Sequence, residues 1–209
     1  SMSKEEAQAW AGKEQGKKLV LLMPGSRLME IDKMLPTLLV GAKLLKQQLP
    51  DVQFAMPRAG TIPLAMLQEK IAASGLDIKI TEGHNYDLFS AADLALATSG
   101  TVTLEAALCG LPSVIVYRTS ALNAFIARLV INIPNIGLPN IVAGKTIMPE
   151  LLQEDFTPEK LAKTAVELLQ PERQAQLQGD LEYMKKRLGE PGAVDRVAQL
   201  ILKITEEKK

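Results

Sequence analysis

The chain has 209 residues, with 24 lysine and arginine residues against 24 aspartate and glutamate residues, so its formal net charge is zero. A neutral chain with only 4% aromatic residues is not expected to bind nucleic acid, because it offers neither a strongly basic surface nor a base-stacking platform. The single cysteine excludes an intrachain disulfide framework and favours a reducing compartment, and we expect neither a signal peptide nor a membrane-spanning run of roughly 18 apolar residues.

Residues 1–16 are mostly small and polar and are expected to form a short helical lead-in or linker. Ser1-Met2 is typical of the residues that remain when a protease removes a tag. On this interpretation, 209 residues is the length of a cloned piece and not of the natural protein.

From residue 17 onward, short apolar runs alternate with helical patterns. Five strands are predicted, at residues 19–23, 52–56, 78–80, 94–97 and 113–117. Helices are predicted at residues 28–48, 62–73, 85–91, 101–108, 121–131, 158–169, 172–188 and 191–206. Pro36 is expected to kink or break the first of them, and residues 132–148 are expected to be irregular. The alternation predicts an α/β fold with a doubly wound, mainly parallel sheet.

Ligands of such folds bind beyond the carboxyl ends of the strands, near a topological switch point. After the first strand come Gly25, Ser26 and Arg27. Gly25 lets the backbone approach a ligand, Ser26 is expected to cap the next helix, and the helix N-terminus together with the Arg27 guanidinium suits a phosphate. The alternative is a capped helix with a surface arginine.

The turn after the fourth strand is a stronger signal. Ser99 and Thr101 flank Gly100 at the start of a helix, which is a pattern typical of an anion cradle. Glu105 follows one turn later, where a carboxylate would repel phosphate but could accept hydrogen bonds from ribose hydroxyls. The alternative for Glu105 is a solvent-facing side chain.

Other common site patterns are missing. The sequence has no P-loop, no G-x-G-x-x-G after the first strand and no cluster of metal ligands, so neither a nicotinamide cofactor nor a protein-held metal is expected. His84 is interpreted as a structural or solvated loop residue, although it follows the third strand on the ligand side. Cys109 is interpreted as a small buried hydrophobe, and the basic run 185–187 as a solvated helix end.

Five motifs occur in an order that identifies a family. They are Pro24-Gly25-Ser26-Arg27-x-x-Glu30, Ala97-Thr98-Ser99-Gly100-Thr101-x-Thr103-Leu104-Glu105, Val116-Tyr117-Arg118, Leu138-Pro139-Asn140 and Pro149-Glu150-Leu151-Leu152-Gln153. With Pro191-Gly192-Ala193 near the end, the chain resembles lipid-A-disaccharide synthase from about Lys18 to its final helix. The family consists of glycosyltransferases with the B fold.

The resemblance implies that residues 17–190 are the Rossmann-like, UDP-sugar-binding C-terminal domain of such an enzyme and 191–209 its C-terminal helix. The family transfers diacylglucosamine from UDP-2,3-diacylglucosamine to 2,3-diacylglucosamine 1-phosphate and releases UDP, without a metal or other cofactor. The N-terminal domain, with the expected catalytic base, would be the missing partner, so this part alone is expected to be inactive. The family implies a cytoplasmic enzyme that is peripheral at the inner membrane. The apolar helix at 121–131 is a candidate for lipid contact, with a core or interdomain helix as the favoured alternative.

The resemblance also assigns roles to individual residues. Ser99, Gly100 and Thr101 would cradle the diphosphate, Glu105 would hold the ribose, and Arg27 would offset charge on the leaving UDP. Asn140 would contact the diphosphate or sugar, Arg118 and Gln153 are candidates for the donor sugar, and the backbone of residues 82–85 would bind uracil.

Two alternatives remain open. One is another UDP-sugar enzyme of the same fold, namely an N-acetylglucosaminyltransferase or a UDP-sugar 2-epimerase. The other is a non-catalytic module that binds a nucleotide or a partner.

Overall fold

The computed structural model describes residues 2–119, 135–190 and 192–206. Its strands are β1 (Lys18–Met23), β2 (Val52–Pro57), β3 (Ile78–Thr81), β4 (Leu94–Thr98), β5 (Ser113–Tyr117) and β6 (Glu150–Leu152). Its helices are α1 (Lys4–Ala11), α2 (Leu28–Gln48), α3 (Leu64–Ser74), α4 (Asn85–Ala91), α5 (Thr101–Leu108), α6 (Leu138–Ala143), α7 (Pro158–Leu168), α8 (Pro171–Arg187) and α9 (Ala193–Glu206).

The six strands form one sheet in the order β3-β2-β1-β4-β5-β6, and every described pair is parallel. From β1 the chain builds outward to β2 and β3, and it then returns to place β4 on the other side of β1. The predicted doubly wound α/β fold is therefore confirmed. The switch point lies between the carboxyl ends of β1 and β4, where ligands of such sheets bind.

The central strands are apolar on both faces because helices cover both sides of the sheet. On β1, Val20 and Leu22 belong to the larger core cluster, which also takes in residues of α2, α3 and α7. Leu19, Leu21 and Met23 point the other way, into a cluster with residues of α1, α4 and α5. This two-sided burial explains why β1 is a continuous apolar run and not an alternating one.

Helix α2 is the longest described helix and runs through Pro36 without the break that was one of the two expected outcomes. Its buried side chains recur along one stripe, which contains Leu35, Leu38, Ala42 and Leu45. Gly41 lies on the same side, and a Cβ built there would be 2.6 Å from Cδ2 of Leu161 in α7. Packing against the sheet and α7 therefore holds this helix together.

The stretch predicted to be irregular, 132–148, is only partly so, because residues 138–143 form α6. A sixth strand, β6, was also missed by the five-strand prediction. It pairs with β5 over only three residues, so it is too short to produce an apolar run. The helix predicted at 121–131, with its proposed lipid contact, lies outside the described residues.

The lead-in is more closely tied to the sheet domain than its polarity suggests. Ser3 and Glu6 form a capping box at the start of α1, and Ala7 and Ala11 are buried in the cluster that contains α4.

Near the other end of the chain, α9 leaves apolar side chains exposed. Within the described ranges, none of the helices has the length and apolar character needed to cross a membrane.

Candidate functional site

A cleft of about 460 Å³ opens at the switch point. Loops after four strands line it, with the following residues: Met23, Gly25, Ser26, Arg27, Glu30, Pro57, Arg58, Ala59, Asn85, Phe89, Thr98, Ser99, Gly100, Thr101 and Val102. Six of the ten predicted site residues are thus brought together in one place. Glu105, Asn140, Arg118 and Gln153 are outside this lining.

The loop after β1 is closed by its own carboxylate. Glu30 Oε2 accepts hydrogen bonds from the backbone N–H groups of Ser26 (2.9 Å) and Arg27 (3.2 Å). Gly25 has a φ of +116°, and a Cβ there would lie 2.4 Å from the same oxygen. Arg27, not Ser26, is the N-cap residue of α2, so the expected Ser26 cap is wrong. The glycine here serves the approach of Glu30.

Arg27 is paired but reachable. Its Nη1 lies 3.2 Å from Glu30 Oε1, and its side chain is 81% exposed. A guanidinium carries five N–H donors in a fork, so one contact with Glu30 leaves others for a ligand. Because Glu30 already occupies two N–H groups at the start of α2, this helix end offers an anion mainly the Arg27 side chain.

The turn after β4 is open by contrast. Ser99 N–H donates to Val116 O, but within the described parts of the chain no group accepts from the N–H groups of Gly100, Thr101 or Val102. Thr98 Oγ1 is buried and also has no partner there. A Cβ at Gly100 would meet no atom of the described residues within 4 Å, so among these residues its backbone faces open space. Three N–H donors without a described acceptor at a helix start are the arrangement that an anion cradle requires.

Glu105 is half-buried on α5, one turn beyond Thr101, and lies beside the cleft lining. In the described regions its carboxylate makes no hydrogen bond or ion pair. Residues four apart share one face of a helix, so Glu105 and Thr101 lie on the same side of α5. The carboxylate is therefore available to a ligand that extends beyond the cradle.

Asn140 has a structural position that the sequence reasoning did not foresee. It is 1% exposed, and its Oδ1 accepts from the N–H groups of Ile147 and Met148, each at 2.8 Å. Its Nδ2 donates to Met148 O (2.8 Å) and to Glu150 Oε1 (2.7 Å). These four bonds use the full capacity of the amide, so the expected direct contact of this side chain with a ligand is not supported by the geometry.

The Asn140 network reaches the cradle indirectly. Glu150 accepts hydrogen bonds from the N–H groups of Ile136 (2.9 Å) and Gly137 (3.0 Å), which fixes the segment before α6. Ser99 Oγ donates to Ile136 O at 3.4 Å. Asn140 and Glu150 therefore position the backbone that contacts Ser99.

Arg118 and Gln153 lie together just beyond the carboxyl ends of β5 and β6, at the β6 edge of the sheet. Arg118 donates to Thr37 Oγ1 (3.2 Å) and to the carbonyl oxygens of Gln153 and Phe156, and its guanidinium lies 5.0 Å from the Phe156 ring centre. Gln153 has a φ of +50° and accepts a hydrogen bond from Thr119 N–H. Arg118 thus braces this corner, and Gln153 occupies a backbone region that is uncommon for non-glycine residues.

Arg58 and Asn85 line the cleft from the β2–β3 side. Asn85 belongs to the segment 82–85 whose backbone was expected to bind uracil, whereas the sequence reasoning missed Arg58. Arg58 makes a two-pronged contact with Glu82, from Nε to Oε1 (2.9 Å) and from Nη2 to Oε2 (2.7 Å). This contact raises the pKa of Arg58 and holds the pKa of the Glu82 carboxyl below its ordinary value. No motif marks Arg58, and its partner is 24 residues away, so only the fold reveals the pair.

The single histidine and the single cysteine have surroundings typical of structural residues. His84 packs edge-on against Trp10 and lies 3.2 Å from Asp87 Oδ2, while its ring remains more than half exposed. Burial raises the pKa of the Cys109 thiol, which disfavours a nucleophilic thiolate. In the part of the chain that the structure covers, no three histidine, cysteine, aspartate or glutamate residues come close enough to hold a metal.

Sequence comparison agrees with the motifs. The family model described as lipid-A-disaccharide synthetase matches residues 1–204. The lipid-A-disaccharide synthase of Syntrophus aciditrophicus is 38% identical over 98% of this chain and 54% of its own length. That of Geobacter sulfurreducens is 37% identical over 98% of this chain and 53% of its own length. The chain spans about half the length of the curated relatives it matches.

Solved structures show the same fold. WaaG, a glycosyltransferase involved in lipopolysaccharide biosynthesis, is 20% identical, with a TM-score of 0.60 over 87% of this chain and 46% of WaaG. A putative UDP-N-acetylglucosamine 2-epimerase from Listeria monocytogenes is 16% identical, with a TM-score of 0.66 over 96% of this chain and 47% of the epimerase. These likenesses confirm the architecture expected for one half of a B-fold glycosyltransferase. At identities of 20% and 16%, the likeness to these two proteins concerns the fold and not the function.

Proposed function

The chain belongs to the lipid-A-disaccharide synthetase family, and from this premise we propose that it is the donor-binding half of such an enzyme. It holds UDP-2,3-diacylglucosamine while diacylglucosamine passes to 2,3-diacylglucosamine 1-phosphate and UDP leaves. The observation that carries this proposal is the open cradle at the start of α5, at the switch point of the sheet.

The diphosphate is held at the cradle. The N–H groups of Gly100, Thr101 and Val102 lack described acceptors, and the dipole of α5 adds partial positive charge at the same end. Thr98 Oγ1 is a buried hydroxyl of the cleft lining that has no partner among the described residues, so a ligand oxygen there would satisfy it. These neutral donors suit the phosphate oxygens of a nucleoside diphosphate.

Glu105 binds the ribose. Its carboxylate is half-buried, unpartnered in the described regions, and one helical turn from Thr101. A carboxylate one helical turn beyond a phosphate cradle is suitably placed for the two neighbouring hydroxyls of a ribose, which donate hydrogen bonds to it.

Arg27 stabilises the leaving group. In the transfer, the bond from the sugar C1 to the diphosphate oxygen breaks as the acceptor hydroxyl attacks C1, so negative charge grows on the departing UDP. The exposed Arg27 guanidinium can keep its contact with Glu30 and still face that charge. Arg118 and Gln153 lie at the corner proposed for the donor sugar, where Gln153 makes the contact and Arg118 braces it.

The rest of the enzyme supplies what this half lacks. We assign the acceptor pocket and the base that takes the acceptor's proton to the other half, in keeping with a chain about half as long as its relatives. The complete protein would act without a metal cofactor, on the cytoplasmic side of the inner membrane and peripheral to it.

Titration of the chain with UDP, followed by calorimetry or NMR, tests the proposal. Gly100→Ala is the informative variant, because the new methyl group meets no atom of the residues that the structure covers and projects into the space proposed for phosphate. We expect UDP to bind and this variant to weaken binding about tenfold, which is the effect of losing one charge-assisted hydrogen bond.

Gly179→Ala on α8 is the matched control, since that glycine also faces open space but lies outside the cleft lining. It should bind UDP like the parent chain. A folded chain that binds no UDP at millimolar concentration would overturn the proposal. Product analysis with the complete enzyme separates this function from that of an N-acetylglucosaminyltransferase, a 2-epimerase or a binding module.

A further inference from the structure

The cleft has two chemically different ends. Toward β1 and β4 it is lined by glycines, hydroxyls and free backbone N–H groups. Toward β2 and β3 it is lined by Pro57, Ala59, Phe89, the Asn85 amide and Arg58, whose guanidinium is paired with Glu82. Apolar side chains, one amide and an arginine whose charge is already balanced suit a flat heteroaromatic ring better than they suit phosphate. With the diphosphate at α5, the base of the nucleotide falls at the β2–β3 end.

At this end the residues after β3 turn sharply. Gly83 and His84 both have positive φ angles, +68° and +49°, and Asn85 follows directly at the cleft. A positive φ is unfavourable for histidine, so surrounding contacts must hold the turn in this shape. The residues that hold it therefore set where residues 83–85 present their hydrogen-bonding groups.

Arg58 provides such contacts. Its guanidinium binds both carboxylate oxygens of Glu82, the residue just before the turn, and Nη1 donates to Ile62 O at 2.6 Å. Its backbone N–H donates to Thr81 O at 2.8 Å. One side chain that is only 15% exposed thus joins the ends of β2 and β3 and the approach to α3.

The same loop also touches the phosphate side. Thr61 Oγ1 donates to Ser26 O at 2.7 Å, so residues 58–62 are connected to the β1–α2 loop as well as to Glu82. The β2–α3 loop therefore fixes the separation between the two ends of the cleft.

We infer that Arg58 and Glu82 are a positioning pair that sets the uracil-binding geometry of residues 83–85 and thereby the preference of the site for uridine nucleotides. The inference rests on the proposed function. Neither side chain needs to touch the ligand, because the pair acts through the turn it anchors. A planar, two-pronged contact is what an arginine provides and a lysine does not.

The test compares UDP with CDP, which share ribose and diphosphate and differ only in the base. We expect Arg58→Lys and Glu82→Gln each to weaken UDP binding about tenfold, while CDP binding changes less than threefold. The double variant should lose no more than either single variant, because both changes break one contact. Arg173→Lys is the matched control, since among the described residues the side-chain hydrogen bond of that arginine goes to its helical neighbour Gln176, and it lies outside the cleft lining.

The outcomes are distinct. Unchanged UDP affinity in both variants would overturn the inference, and so would an equal loss of UDP and CDP affinity, which would mean that the pair supports the fold or the phosphate end. Glu82 is more than half exposed, so Glu82→Gln remains folded even where Arg58→Lys does not. A parent chain that binds no UDP would overturn the proposed function and this inference with it.

Discussion

Asn140 is a motif residue whose side chain is committed to hydrogen bonds within the protein. Its amide makes four hydrogen bonds in a nearly inaccessible site, and Glu150 extends the network to the backbone beside Ser99. The Leu138-Pro139-Asn140 and Pro149-Glu150 motifs are therefore two halves of one structural unit. A sequence motif identifies such residues, but it does not say whether a polar side chain faces the ligand or the core.

Asn140→Ala is expected to destabilise the chain by about 3 kcal/mol, because it leaves two backbone N–H groups and one carbonyl buried without partners. Urea unfolding followed by circular dichroism measures this. Asn85→Ala is the control, because Asn85 is exposed, and a change within about 0.5 kcal/mol is expected there. Equal stabilities of the two variants would contradict the role given to Asn140.

Arg58 was missed for a different reason. It follows a strand in an unremarkable Met56-Pro57-Arg58 sequence, and its partner Glu82 belongs to the next strand–helix unit. Gly25, Ser99, Gly100 and Thr101 were predictable because they form turns of glycine and hydroxyl residues between a recognisable strand and a helix start. Pairing between distant loops depends on strand order, which the local pattern does not contain.

At the scale of elements, packing decides what a helix residue contributes. Gly41 in α2 faces Leu161 of α7, and a Cβ there would lie within 2.6 Å of it, whereas Gly179 in α8 faces open space. Both glycines are inside helices, where alanine is intrinsically the better residue.

Gly41→Ala is therefore expected to destabilise the chain by about 1–3 kcal/mol through overpacking. Gly179→Ala should instead stabilise it by about 0.5–1 kcal/mol, because only the helix propensity changes. Denaturant midpoints of the two variants give the sign of each effect. Stabilisation by both substitutions would show that α2 and α7 are less closely packed than the structure indicates.

The long elements were predictable and the short ones were not. Strands β1, β4 and β5 are apolar runs because helices cover both faces of the sheet. Helices α2, α7 and α8 carry clear periodicity or proline at their starts. Strand β6 has three half-buried residues, and α6 has six residues with Pro139 near its start, so neither produces a periodic signal. Strand β6 forms because it pairs with β5, and α6 is held in place by the hydrogen bonds of Asn140.

At the scale of the whole molecule, this chain is half of the length of its relatives. The cradle is built by residues of the described sheet domain, so UDP binding requires only this half under the proposed function. Transfer requires more, because the acceptor site and the base are assigned to the other half.

The chain alone is accordingly expected to form no disaccharide from UDP-2,3-diacylglucosamine and its acceptor above background. The control is the complete enzyme that contains this sequence. Thin-layer separation of labelled lipid measures the product. Turnover by this chain alone would show that the base lies within it.

The paired arginines of the cleft have a consequence for how a ligand arrives. Arg27 is balanced by Glu30, Arg58 is balanced by Glu82, and the chain as a whole carries no net charge. A nucleotide is therefore not drawn in by a long-range field, and its association rate should depend only weakly on ionic strength. The cleft is expected to bind an anion through short-range hydrogen bonds and not through long-range electrostatic attraction. Inorganic phosphate in solution is therefore not concentrated at the cleft.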